Sequence, residues 1–339
     1  MVTKSRLHRA KTAVLTSVLI AAGSVASAQD GPKDELREPY INALKGKTVA
    51  FVPTSMGFDL TEGWAEYIGK DAAANGYNLV VTDPAFDTNK GTQILSSLIA
   101  DKPDVMVVHN IDVQSYARLL KKAEKEGIKV IQVNMKSTYS TDAYVGADWF
   151  DVGARGAEYL AKSCSPENGK SGKIAIVQGA LTAAASVYQI RGVEAVLKDH
   201  PGIQIVANQP ADWDSSKAQT ITSTILQQHP DICGIFGFWD WMDIGIGAAV
   251  KEAGKLDDVE IVTSGAGNIL DCEKLEEGTF DYVINYDVPG QSRDITNLIK
   301  QYLQTDSPAG ANKHALYTPL QLMTKSNYAD YGCWELSKK

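Results

Sequence analysis

Thr48-Val49-Ala50-Phe51-Val52, a helical stretch over 61–75, and then Gly76-Tyr77-Asn78-Leu79-Val80-Val81 form the segment whose periodicity decides the fold. The first five residues are a continuous apolar run, too short for a helix and closed by Pro53, as expected of a strand buried on both faces. Trp64, Ala65, Ile68 and Ala72 then recur at helical spacing until Asn75-Gly76 stops the helix. The next apolar run makes a strand–helix–strand unit. Two strands joined through a helix run parallel, cross over right-handedly and need helices on both faces of their sheet.

The same alternation continues outward. A helix is expected over 89–100, a strand over 105–109, a helix over 114–126 and a strand over 129–133, followed by a connection over 139–147. A second set starts with a helix over 150–162 and a polar loop over 163–172. Strands over 173–177, 203–207, 233–236 and 259–262 follow, with helices over 188–199, 216–228 and 242–253 between them. A strand over 282–286, a helix over 291–303 and a strand over 319–323 are too few for a third domain and should return across both halves. The fold class is α/β, with two doubly wound parallel-sheet lobes.

The first 28 residues stand apart. Lys4, Arg6, Arg9 and Lys11 form a basic head, residues 12–25 an apolar run, and Ala26-Ser27-Ala28 a small-x-small site. This is the pattern of a secretory signal peptide cleaved after Ala28, and the run falls short of the ~20 apolar residues that span a bilayer. Residues 29–46, polar and carrying Pro32 and Pro39, read as a leader. Without the first 28 residues, 29 Lys and Arg face 41 Asp and Glu, a net charge of −12. So acidic a surface argues against nucleic acid and anionic membrane as partners. Cys164, Cys233, Cys272 and Cys333 are too widely spaced for a zinc module, and an even number in an exported chain suggests disulfides.

Signatures of catalysis are sparse. The chain has no Gly-x-Ser-x-Gly elbow, His-Glu-x-x-His or Walker loop, and Gly245-Ile246-Gly247 lacks the third glycine of a dinucleotide loop, so no cofactor is expected. Strand ends instead carry hydrogen-bonding side chains beside aromatics: Phe58 and Asp59; His109, Asn110 and Asp112; Asn134; Gln189; Trp213; Trp239, Asp240 and Trp241; Tyr286. Amides and carboxylates bind hydroxyls with direction, and aromatic faces cover the C–H faces of a small polyhydroxylated solute. The pattern is that of a binder.

Gly76 to Val81, Gln209-Pro210-Ala211-Asp212-Trp213-Asp214, His229-Pro230-Asp231 and the order of elements together resemble the ribose-binding type of periplasmic solute-binding protein, with the type I periplasmic binding protein fold. The resemblance runs from Lys47 to Thr324. It implies a monomeric periplasmic receptor for a small sugar or polyol, serving the membrane permease of an ABC importer. It also implies a three-segment hinge near Ala147, Tyr286 and Leu316. Lobe one would then be 30–147 plus 287–315, lobe two 148–286 plus 316–324, and 325–339 a C-terminal tail.

Family contact positions fall on Phe58, Leu60, Thr61, His109, Asn134, Met135, Gln189, Trp213, Trp239, Gly265 and Tyr286, with His109 and Asn110 alternatives for facing the ligand. The resemblance also exposes departures: Asn134-Met135 where pentose and hexose binders show Asp-Arg, Gln189 in place of Arg, and Gly265 in place of Asp. Losing those charged forks argues against a typical aldopyranose and for a linear polyol, a deoxy or branched sugar, or a less polar solute.

On this layout Cys164 ends a helix and Cys233 begins a strand at one outer edge, while the tail bearing Cys333 can reach Cys272. The pairing expected among three possibilities is Cys164 with Cys233 and Cys272 with Cys333. Two rivals to a sugar receptor are weighed beside it. One is a receptor for an amine or quaternary ammonium in an aromatic cage, with Asp59, Asp212 and Asp240 nearby; the other is a secreted α/β enzyme.

Overall fold

Residues 33–337 are described by a computed structural model, so the signal-peptide reading and its cleavage site lie outside the described residues. One six-stranded sheet contains β1 (Thr48–Val52), β2 (Asn78–Val81), β3 (Val105–Val108), β4 (Lys129–Val133), β5 (Ala143–Gly146) and β11 (His314–Tyr317). The other contains β6 (Lys173–Gln178), β7 (Gln204–Pro210), β8 (Gly234–Gly237), β9 (Glu260–Gly265), β10 (Tyr282–Asn285) and β12 (Gln321–Met323). Their orders are β11-β5-β4-β3-β1-β2 and β12-β10-β9-β8-β6-β7, and every pairing is parallel except β10 with β12. Both sheets are doubly wound, with the order reversing between β1 and β3 and between β6 and β8.

Helices α1 (Arg37–Leu44), α2 (Asp59–Asn75), α3 (Thr88–Asp101), α4 (Ala117–Lys125) and α10 (Val288–Gln304) cover the first sheet. Helices α5 (Trp149–Ser163), α6 (Ala184–Leu197), α7 (Ser215–Gln228), α8 (Asp240–Glu252) and α9 (Ile269–Glu277) cover the second, and α11 (Tyr328–Tyr331) lies in the tail. Asp87, Asp148 and Asp214 cap α3, α5 and α7 by accepting from backbone amides of the first turn. Helices α5 and α6 cross closely because Gly153 and Gly192 lack side chains; a Cβ at either would stand 2.0 Å from a backbone oxygen of the other helix.

Four expectations change. Part of the presumed leader folds as α1, whose Leu44 is wholly buried in the core. The presumed connection over 139–147 carries β5, all four residues buried, a strand too short to show a period. Leu316 lies inside β11, which pairs with β5 through Tyr317, so the first sheet extends to Tyr317 and the third crossing follows it. Helix α6 starts at Ala184, four residues before the expected 188, because it opens on Ala184 and Ala185, which favour a helix without showing a stripe.

The disulfides are Cys164–Cys233 and Cys272–Cys333, the expected pairing. They close loops of 69 and 61 residues. Each such loop removes about 4 kcal/mol of unfolded-chain entropy in the loop-closure account.

Candidate functional site

The two reversal points face each other, and segments following the carboxyl ends of strands in both sheets, β1, β3, β6 and β8 at the reversals among them, enclose a cavity of about 40 Å³. Crevices at such points are where open α/β sheets hold ligands. A space this small means that the two walls nearly meet.

The first sheet supplies Thr54, Leu60, Phe86, His109, Asn134 and Met135. His109 is held by Thr54, whose Oγ1 lies 3.4 Å from Nδ1, and by the edge of Trp64 at 5.0 Å between ring centroids. Its Nε2 is buried without a partner. Burial pushes the imidazole down to about 3, so the ring is neutral at ordinary pH. Asn134 sits in the left-handed region at φ 57°, which Asn tolerates. Its backbone oxygen accepts from Tyr144 Oη and Trp149 Nε1, and its Oδ1 accepts weakly from Gln291 at 3.4 Å.

The second sheet supplies Ala185, Trp213, Phe238 and Trp239, while Trp149 and Tyr286 stand at the crossings. Trp213 has φ 66°, a conformation that costs a bulky residue of order 1–3 kcal/mol. Its ring lies over Gly179, where a Cβ would come within 2.1 Å of it. Trp239 meets Trp213 edge to face at 6.1 Å and Phe58 at 5.2 Å. Phe58 also meets Phe86 and Trp241, so these aromatics close the mouth between the lobes.

Several expected residues do not reach the cavity. Asn110 is turned to the opposite side of its extended segment from His109, donating to Gln132 Oε1 and Met135 O at 2.9 and 2.8 Å. Asp112 accepts from the amides of Gln114 and Ser115 and serves its own turn. Gln189 is buried behind the wall, accepting from Ser264 Oγ at 3.4 Å. Asp59 accepts from Asn268 Nδ2 across the lobes at 2.8 Å, and Thr61 donates back to Phe58 O.

Asp240 accepts from the amides of Ala266 and Trp241 and lies outside the cavity lining. Burial raises its carboxyl to about 6, and burial with the Asp240 charge raises neighbouring Asp271 well above the usual range. These two acids fill the room beside Gly265, where a Cβ would lie 2.6 Å from an oxygen of each. The carboxylates of the amine-cage reading are thus all engaged elsewhere, Asp212 by Lys217. None of the described lining residues is acidic, so no carboxylate of the lining supports that reading.

Thr54, Phe86, Trp149, Ala185 and Phe238 are cavity residues that the sequence reading missed. Phe86 is swung inward by consecutive positive φ values at Ala85 and Phe86, which leave no pattern in the sequence. Phe238 and Trp149 had a signal, since each directly follows or opens an element at a cleft-side end.

The chain belongs to a known family: residues 49–307 match the model described as periplasmic binding protein domain. It is similar to the D-allose-binding periplasmic protein of Escherichia coli strain K12, 31% identical over 46% of this chain and 51% of that one. It is also similar to the ribose import binding protein of Bacillus subtilis strain 168, 26% identical over 56% of this chain and 60% of that one. The chain thus spans about half to three fifths of these curated relatives. Among solved structures, an ABC transporter periplasmic solute-binding protein from Actinobacillus succinogenes 130z with bound D-allose aligns with TM-score 0.71 and 25% identity, over 84% of this chain and all of that one. The expected type I periplasmic binding protein fold is the one present.

Proposed function

We propose that the chain is the periplasmic receptor of an ABC importer and that its solute is a small neutral sugar or polyol with one hydroxylated edge and one C–H face. The observation that carries this is the cavity lining. Thr54, His109 and Asn134 are neutral hydrogen-bonding groups on one wall, and Trp213, Phe238 and Trp239 are apolar faces on the other. The neutral imidazole and the amide would orient hydroxyls, while the indoles would cover C–H surface. A solute touching both walls stabilises the closed arrangement, which is what a receptor presents to its permease. The basic head and Ala26-Ser27-Ala28 support export, and two disulfides suit an oxidising compartment. The strained backbone at Trp213 supports a binding role for that residue, since such strain clusters at ligand sites. No turnover of the solute is expected.

A thermal-shift screen of the mature chain against D-ribose, D-allose, myo-inositol, erythritol and choline tests the reading. A solute at 100 times its Kd adds about 2.7 kcal/mol to stability. One neutral polyhydroxylated compound should raise the melting temperature and be recovered unchanged. A response to choline alone, or consumption of the compound, overturns the proposal.

A further inference from the structure

Beyond the three crossings, a fourth segment joins the lobes. Cys333 is tied covalently to Cys272 of α9, and the next residue locks onto the loop before that helix. Trp334 donates from its amide to Gly267 O and from Nε1 to Ala266 O, and its carbonyl accepts from Ile269. The tail is therefore a fixed part of lobe two.

Its other side lies along α2 of lobe one. The Trp334 ring covers Gly63 so closely that a Cβ there would stand 2.7 Å from it. One turn further, Ser337 donates from its amide and hydroxyl to the two Glu66 oxygens at 3.1 and 2.7 Å, and Lys70 donates to the same hydroxyl at 3.0 Å. Asp59, bonded across the lobes to Asn268, Gly63, Glu66 and Lys70 follow one another at intervals of four, three and four residues, a single stripe of the helix. The same helix opens with Phe58 at its cap and carries Leu60 into the cavity.

We propose that residues 333–337 are an interlobe brace, and that Trp334 and Ser337 are positioning residues that hold α2, with Phe58 and Leu60, against lobe two. The inference rests on the reading of the chain as a receptor whose lobes part to load. Parting must strip the tail from α2, because the disulfide keeps it on lobe two. The brace thereby shifts the population toward the closed arrangement and raises the apparent affinity for whatever solute the cleft takes.

The experiment needs no solute, so its outcome is independent of which compound the site binds. Amide hydrogen exchange and small-angle scattering are compared for the mature chain, Trp334→Ala, Trp334→Phe and Ser337→Ala. Trp334→Ala should speed exchange in residues 58–70 and 266–269 roughly tenfold and enlarge the radius of gyration, leaving β3 and β10 unchanged. Trp334→Phe should restore much of the protection, and Ser337→Ala should lose part of it in 58–70 alone. Should Trp334→Ala fail to fold, Ser337→Ala and Glu66→Gln, which leave both disulfides intact, must show a loss of protection confined to 58–70, with β3 and β10 unchanged. Unchanged exchange in both segments overturns the brace. So does a uniform rise that includes β3 and β10, which would mark an ordinary contribution to global stability.

Discussion

The two walls of the cleft are built from the same α/β unit and do opposite things. Lobe one offers Thr54, His109 and Asn134, three residues with neutral hydrogen-bonding side chains, and His109 Nε2 is buried without a partner. Lobe two offers Ala185, Trp213, Phe238 and Trp239 and no hydrogen-bonding side chain except indole edges. On the proposed reading the difference teaches a division of labour: one wall would choose the orientation of a solute, and the other would supply contact area. Area is tolerant of detail and polar pairing is not, so affinity and selectivity should be separable by mutating one wall at a time.

The largest expected effect tests the apolar wall. Trp213→Ala should weaken binding about thirtyfold, or about 2 kcal/mol, measured by calorimetry with the solute found in the screen. An unchanged Kd would break the comparison. On the polar wall, His109→Phe keeps the shape but removes Nε2 and should cost about tenfold, or about 1.4 kcal/mol. Its loss should be greater for solutes bearing a hydroxyl at the matching position than for their deoxy analogues. Asn110→Ala is the control beside it. It should lower stability by about 1–3 kcal/mol through the orphaned Gln132 and Met135 groups, with little change in affinity.

The smallest expected effect is on pH. With His109 held down to about 3 by burial, affinity should stay flat from about pH 5 to 8. Stability should not stay flat. An unfolded chain takes up a proton near 6.5 that folded His109 refuses, so this contribution is full above 6.5 and lost as pH falls toward 3. Asp240, raised to about 6, acts the other way, favouring the fold in acid and losing that contribution as pH rises through 6. The stability difference between the wild type and His109→Gln should therefore be constant above about pH 6.5 and change only below it.

Most of the fold was legible because buried parallel strands are short apolar runs and their helices carry stripes, as Trp64, Ile68 and Ala72 do. What failed lacks that contrast: β5 is four residues long, and α6 opens on alanines. The site was legible to the level of strand ends but not of side-chain direction. His109 and Asn110 are adjacent in sequence and face opposite ways, a distinction set by one step of backbone. Phe86 enters through two positive φ values, which depend on Thr54 O accepting its amide and on Asp83 Oδ1 accepting that of Ala85. Gln189 read as a contact, but it is wholly buried behind the wall and accepts from Ser264 Oγ.

The packing around Gly265 bears on how such a cleft can change its diet over generations. The aspartate that the resemblance implies for sugar binders at this position does not fit by a single substitution, since Asp240 and Asp271 already occupy the volume and hold the amides of Ala266 and Gly267. Clearing them first would unfasten the loop, and inserting the aspartate first would crowd three acids into one buried space. Either order passes through a crippled intermediate. A mutagenesis library that varies Gly265 alone should thus return few soluble members beyond the smallest residues, while one that varies positions 240, 265 and 271 together opens the route.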